Sequence, residues 1–323
     1  MAEDELMATD HGQPRFATDT VTVLDGGLAT ELERRGNDLS DPLWSARLLI
    51  ESPDEIVAAH VAFFRAGARV ATTASYQASF EGFARRRIGR DDAEQLLRRS
   101  VELAAEARSR RLDDADPPDP AAGALLVAAS IGPYGATLAD GSEYRGDYGL
   151  SVAELRRWHA PRLAVLAGAG ADLLAIETLP TVDEGRALVE LLAVTDGPPA
   201  WLSFSCADGA TTRQGEPVET AFGLAEASDR IVAVGLNCTA PEHVPELIRR
   251  ARAVTGKPIV VYPNSGETWD PVARRWAGAA GPKVDAAAAR AWIAAGARLI
   301  GGCCRVGPDR IAQLAGLAGG PTA

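Results

Sequence analysis

Eight short runs rich in Val, Ile, Leu and Ala, separated by longer Ala/Leu/Arg/Glu stretches at helical spacing, constrain this chain more than any other feature. The runs are Val21–Asp25, Arg69–Ala74, Leu125–Ile131, Asp172–Glu177, Trp201–Ser205, Ile231–Asn237, Pro258–Pro263 and Arg298–Gly302. Helical segments follow, most clearly Asp91–Arg110, Ser151–Ala167, Thr181–Val194, Pro241–Val254, Asp285–Ala295 and Pro308–Leu317. Ala-Gly-Ala recurs at 66–68, 169–171 and 295–297, each time between a helix and the next run. There glycine can take the left-handed conformation that ends a helix, and Gly197 and Gly256 are expected to do the same. Eight strands with crossover helices in 323 residues suit an α/β fold, the parallel (β/α)8 TIM barrel. An open doubly wound sheet has the same local alternation. No G-x-G-x-x-G follows any run, however, and the barrel is the expected fold.

Composition narrows the function classes. The chain carries 33 Lys+Arg against 44 Asp+Glu, a formal net charge of −11, which argues against a general binder of nucleic-acid backbones. The basic cluster Arg85–Arg87 reads as a solvated face. No run of 18 uninterrupted apolar residues occurs, so no membrane span is expected. Residues 1–18 are polar and acidic and lack the basic start and apolar stretch of a secretory signal. They read as a disordered tail on a cytoplasmic protein in which residues 19–323 form a single domain.

In a barrel of this kind, reactive residues stand at the carboxyl ends of the strands. All four cysteines fall at such ends, whereas the four histidines fall in the tail or in helices. Cys238 ends run six, and Cys303 and Cys304 end run eight, with run seven between them. Three thiolates suit a tetrahedral Zn2+ with Zn–S of about 2.3 Å, and three protein ligands leave one position open, as catalytic zinc requires. Gly301 and Gly302 would let the backbone turn sharply enough for both neighbouring thiols to face the metal. The competing readings are small buried hydrophobes or a vicinal redox pair; three thiols at one barrel mouth favour the metal. Cys206, one residue further into a loop, reads as structural.

Around these residues the sequence resembles the homocysteine S-methyltransferase family. The resemblance rests on Asp25-Gly26-Gly27 with the following Ala-Thr-Glu-Leu, Glu177-Thr178, Gly235-x-Asn237-Cys238 and Gly301-Gly302-Cys303-Cys304, and it runs from about residue 21 to 310. The stretch Tyr262-Pro263-Asn264-Ser265-Gly266-Glu267 is similar to the branch that uses S-methylmethionine or S-adenosylmethionine. The resemblance implies zinc on Cys238, Cys303 and Cys304, with the amino-acid end of homocysteine on Asp25, Glu177 and backbone amides near Gly26 and Gly27. It also implies a monomer.

The chemistry expected is attack by homocysteine sulfur on the methyl of a sulfonium donor, giving methionine. Tyr76, Phe204 and Tyr262 are candidates to face the sulfonium by cation–π contact. Asn237 and Ser265 are candidate donors to the substrate carboxylate or to groups behind it. Rival readings are a methyltransferase for another thiol or a selenol, and a zinc- or redox-responsive binding protein without turnover. A Schiff-base lyase is disfavoured because Lys257 and Lys283 stand before a strand or in a loop.

Overall fold

The computed structural model describes residues 9–10, 13–14, 16, 20–41, 43–114, 124–270, 275–277 and 284–318. Eight parallel strands carry the fold: β1 (Thr22–Val23), β2 (Val70–Thr72), β3 (Leu126–Ile131), β4 (Leu173–Leu179), β5 (Ala200–Phe204), β6 (Ile231–Asn237), β7 (Ile259–Tyr262) and β8 (Ala297–Ile300). From β2 to β8 each strand pairs with the next in sequence, and β8 pairs with β1. A parallel bridge from Leu24 to Val70 closes the ring. This is the (β/α)8 barrel expected from the alternation.

The surrounding helices are α1 (Leu28–Arg34), α2 (Pro53–Arg65), α3 (Phe80–Arg85), α4 (Arg90–Asp113), α5 (Val152–Ala167), α6 (Val182–Leu192), α7 (Val218–Gly223), α8 (Val244–Val254), α9 (Ala286–Ala295) and α10 (Pro308–Ala318). Their starts have local causes: Ser151 makes a full capping box with Glu154, and Thr181 and Asp285 accept from the first turns of α6 and α9. Gly67, Gly170 and Gly296 have φ of +99°, +83° and +119°, the left-handed ends read from the Ala-Gly-Ala repeat. Gly256 departs from that reading. Helix α8 ends at Thr255 in extended conformation, so its exit needs no left-handed residue.

Strand period decides what faces where. Leu24, Val70, Leu126, Ala128, Leu173, Ala175, Trp201, Ala233, Val260, Tyr262 and Leu299 fill the barrel interior, while the alternate residues of the same strands pack against the helices. Continuing the inward parity toward the carboxyl ends gives Thr72, Ser130, Glu177, Ser203, Asn237 and Tyr262. The top layer of the barrel is therefore polar over an apolar floor. Phe204 has the opposite parity and packs on Phe222 among the helices.

Most of the expected tail, 1–18, lies outside the described residues. Of the rest, Thr9–Asp10 pairs with Gln13–Pro14, and Phe16 is buried against the interior cluster. Among the described residues no helix is long and apolar enough to cross a membrane.

Candidate active site

The carboxyl ends of the strands open into a cavity of about 800 Å³. Cys238, Cys303 and Cys304 meet in its wall. Their sulfurs are 2.7 Å (238 to 303), 3.6 Å (238 to 304) and 4.0 Å (303 to 304) apart. A tetrahedral ion with 2.3 Å Zn–S bonds separates its sulfurs by about 3.8 Å, so two separations match and the third, between Cys238 and Cys303, is shorter. No fourth His, Cys, Asp or Glu joins the group among the described residues. The donor set thus fits a soft metal with one position left over. Hydrogen bonds from Cys303 and Cys304 hold Cys238 well below the usual thiol range, and the same bonds push the two donors up.

The glycines before the pair work by close approach rather than by turning. Neither Gly301 nor Gly302 has positive φ. A Cβ on Gly302 would lie 2.1 Å from Val306 Cγ1, and one on Gly301 would lie 2.7 Å from the Asp25 carbonyl oxygen. Left-handed strain falls instead on Arg305 (φ 67°) and on Cys238 itself (φ 48°). Of the six non-glycine residues with positive φ among the described residues, five line this cavity: Trp44, Ala139, Thr178, Cys238 and Arg305. Such strain persists where surrounding contacts over-determine it, as at binding sites.

Two buried carboxylates stand in the cavity wall. Asp25 accepts from the Thr72 amide (2.7 Å) and the Thr72 hydroxyl (3.0 Å). Glu177 accepts from Ser130 Oγ at 2.5 Å and from the Tyr262 hydroxyl. Neither forms an ion pair among the described residues. Burial pushes Asp25 up to about 8 and Glu177 to about 7. Unpaired buried acids of this kind ask for a cationic ligand.

The other expected residues divide. Tyr76 and Tyr262 line the cavity, as do Gly26 and Gly27. The Gly27 amide already donates to the Val306 carbonyl at 2.9 Å, so it is not offered to a ligand. Asn237 is wholly buried, its amide bonded to Thr178 and Ser203. Ser265 lies outside the lining, with its hydroxyl on Glu267. Phe204 is excluded by its parity. Cys206 is buried outside the thiol group and pushed up to about 12 by that burial. Lys257 donates to the Ala225, Ser228 and Ile231 carbonyls, and Lys283 is outside the described residues.

Residues not read from the sequence complete the site. Trp44 meets Tyr76 edge-on at 6.0 Å between ring centroids, and Tyr144 Oη stands 4.0 Å from Cys238 Sγ. Both arrive on short 3-10 turns, Trp44–Arg47 and Ser142–Tyr144, too brief for periodicity to carry a signal. Arg162, fully buried on α5, donates to the carbonyls of Gly132, Ser75 and Tyr76 at 2.7–2.9 Å. It ties together the loops after β2 and β3.

A family model described as homocysteine S-methyltransferase matches residues 22–318. The chain belongs to the homocysteine S-methyltransferase family. It is 48% identical to a homocysteine S-methyltransferase of Bacillus subtilis, YbgG, over 92% of this chain and 94% of that one. A crystal structure of the Escherichia coli homocysteine methyltransferase MmuM in a metallated form superimposes with a TM-score of 0.82 at 45% identity, covering 92% of this chain and 96% of that chain. A selenocysteine Se-methyltransferase of Brassica oleracea var. italica is 44% identical over 90% of this chain and 87% of its own. In this homocysteine S-methyltransferase family member, the thiol triad, both carboxylates and the polar top layer all lie within the matched span.

Proposed function

We propose that this protein transfers a methyl group from a sulfonium donor, S-methylmethionine or S-adenosylmethionine, to the thiol of L-homocysteine, forming methionine, with zinc held by Cys238, Cys303 and Cys304. One observation carries the reading: three converging sulfurs share a cavity with two buried carboxylates that form no ion pair among the described residues. The first group suits a metal that takes up a thiol, and the second suits an α-ammonium group. Homocysteine carries both functions on one short skeleton.

Zinc, when bound, would keep an incoming thiol deprotonated and nucleophilic near neutral pH. Asp25 and Glu177 hold the α-ammonium group by charge-assisted hydrogen bonds, while Thr72 and Ser130 fix the two carboxylates. The homocysteine sulfur attacks the donor methyl carbon. The bond from that carbon to the donor sulfur breaks, and its electron pair stays on the donor sulfur, which becomes a neutral thioether. The thiol proton leaves to solvent as homocysteine binds. Because an anion and a cation join into neutral products, exclusion of water favours the step. Trp44, Tyr76 and Tyr144 supply aromatic surface toward a sulfonium.

The 44% identity to a selenocysteine Se-methyltransferase favours a selenol as a second acceptor. The test is incubation of zinc-loaded protein with homocysteine and each donor, with methionine measured. Methionine from at least one donor is expected; none from either overturns the reading.

A further inference from the structure

The cavity is lined by seven carboxylates, Asp25, Glu33, Asp38, Asp41, Asp140, Glu143 and Glu177, against one cation, Arg305. Arg305 is itself paired with Glu267 at 3.0 Å. Among the seven, Glu143 has an unusual position. It sits on the short turn Ser142–Tyr144 after β3, beside the tyrosine that reaches Cys238. Its Oε2 is buried and has no hydrogen-bond partner. The neighbouring cation acts on it only at a distance: Arg145 bonds Ser142 Oγ and pairs with Asp140 and Asp147, and among the described residues it forms no ion pair with Glu143. The Glu143 carboxylate is within electrostatic range of both Cys238 and Tyr76. A carboxyl group is thus held in the cavity wall close to the sulfurs and the aromatic surface, with one oxygen buried and unbonded. Burial pushes it up to about 7, and a cation placed beside it would draw it back to the charged form.

We propose that Glu143 is the counter-charge for the donor's sulfonium, and so selects a positively charged methyl donor over a neutral or anionic one. The proposal rests on the methyl-transfer reading above. It also makes a distinctive kinetic demand. The positive charge on the donor sulfur fades as the methyl leaves, so a carboxylate beside it binds the ground state more tightly than the transition state. Glu143 would therefore lower the donor KM without raising kcat, and it would release the neutral thioether product. A residue that only shaped the loop would depress kcat or disturb the metal as well.

The experiment compares wild type, Glu143→Gln and Glu143→Asp as zinc-loaded proteins. Two donors are used: S-methylmethionine, and dimethylsulfonioacetate, which is a sulfonium lacking an α-ammonium group. In Glu143→Gln the KM for both donors should rise at least about tenfold, with kcat unchanged or higher and with zinc content and homocysteine KM within about twofold. Glu143→Asp keeps the charge and should recover most of the donor affinity. An unchanged donor KM in Glu143→Gln overturns the proposal. So does a rise confined to S-methylmethionine, which would assign the carboxylate to the ammonium group. Calorimetric titration of S-methylmethionine needs no turnover and reads the same loss of affinity, so failure of the methyl-transfer reading and failure of the Glu143 assignment stay distinguishable.

Discussion

Asn237 on β6 fastens Thr178 at the end of β4, across the intervening β5. Its Oδ1 accepts from the Thr178 amide at 2.8 Å and its Nδ2 donates to Thr178 Oγ1 at 2.7 Å. Thr178 sits at φ 61°, a rare conformation for a β-branched residue. The register of β4 against β5 also shifts between Ile176 and Leu179. The clamp therefore maintains a local strain directly after Glu177.

Asn237→Ala should release that strain and leave buried polar groups of Thr178 and Ser203 unpaired. A loss of roughly 3 kcal/mol in denaturant unfolding is expected, with homocysteine KM raised at least about tenfold and zinc retained. Normal stability with normal homocysteine KM would contradict the clamp.

Cys303→Ala should lose both bound zinc by metal analysis and methionine formation, because two thiolates do not complete the set. Cys206→Ala is the control. Buried outside the triad, it should keep full zinc and a rate within about twofold, at a stability cost of about 1 kcal/mol. Zinc retained in full by Cys303→Ala would remove that thiol from the proposed ligand set.

Asp25 gives a pH signature. Its carboxyl is raised from 3.8 to about 8 by burial, so between those values the folded protein holds a proton that the unfolded chain has released. Stability therefore falls as pH rises through that window, by at most about 1.4 kcal/mol per pH unit. Asp25→Asn lacks the titration, so its stability relative to wild type should climb steadily from pH 4 to about pH 8. Parallel stability–pH curves would show that the carboxyl is not raised. Asp25→Ala should retain zinc yet bind homocysteine poorly in a direct titration.

Arg162→Lys puts one ammonium where a guanidinium spans carbonyls on two loops. The lysine cannot reach all three, and its buried charge is left under-bonded. Unfolding should occur at least about 3 kcal/mol more easily, with the donor KM rising because the Tyr76 backbone loses its anchor. A wild-type unfolding midpoint would rule this out.

The fold was legible because its two signals are local and repetitive. Short continuous runs of Val, Ile, Leu and Ala and longer Ala/Leu/Arg/Glu stretches at helical spacing mark strand and helix before any tertiary contact forms. Those same runs point to Cys238, Cys303 and Cys304 as neighbours at one end of the barrel. Boundaries moved by a residue or two, as where Asp172–Glu177 became β4, Leu173–Leu179, through its bulge at Thr178. Trp44, Glu143 and Tyr144 stood on short 3-10 turns, where spacing says nothing about direction. Phe204 faces the helices rather than the cavity, because a strand-end position alone does not fix parity.

What the linear chain determined, then, is the eight-fold alternation and the presence of sulfur at the ends of β6 and β8. These follow from short-range periodicity, whereas the closure of the ring is seen in the pairing of β8 with β1 and the bridge from Leu24 to Val70. The tertiary structure alone decided which side chains the cavity receives. Asn237 turns sideways to hold Thr178, the Gly27 amide is taken by the Val306 carbonyl, and Asp25 is left buried with no ion pair among the described residues. Those outcomes depend on contacts between segments far apart in sequence, where one hydrogen bond removes a group from the site and one missing partner commits it to a ligand.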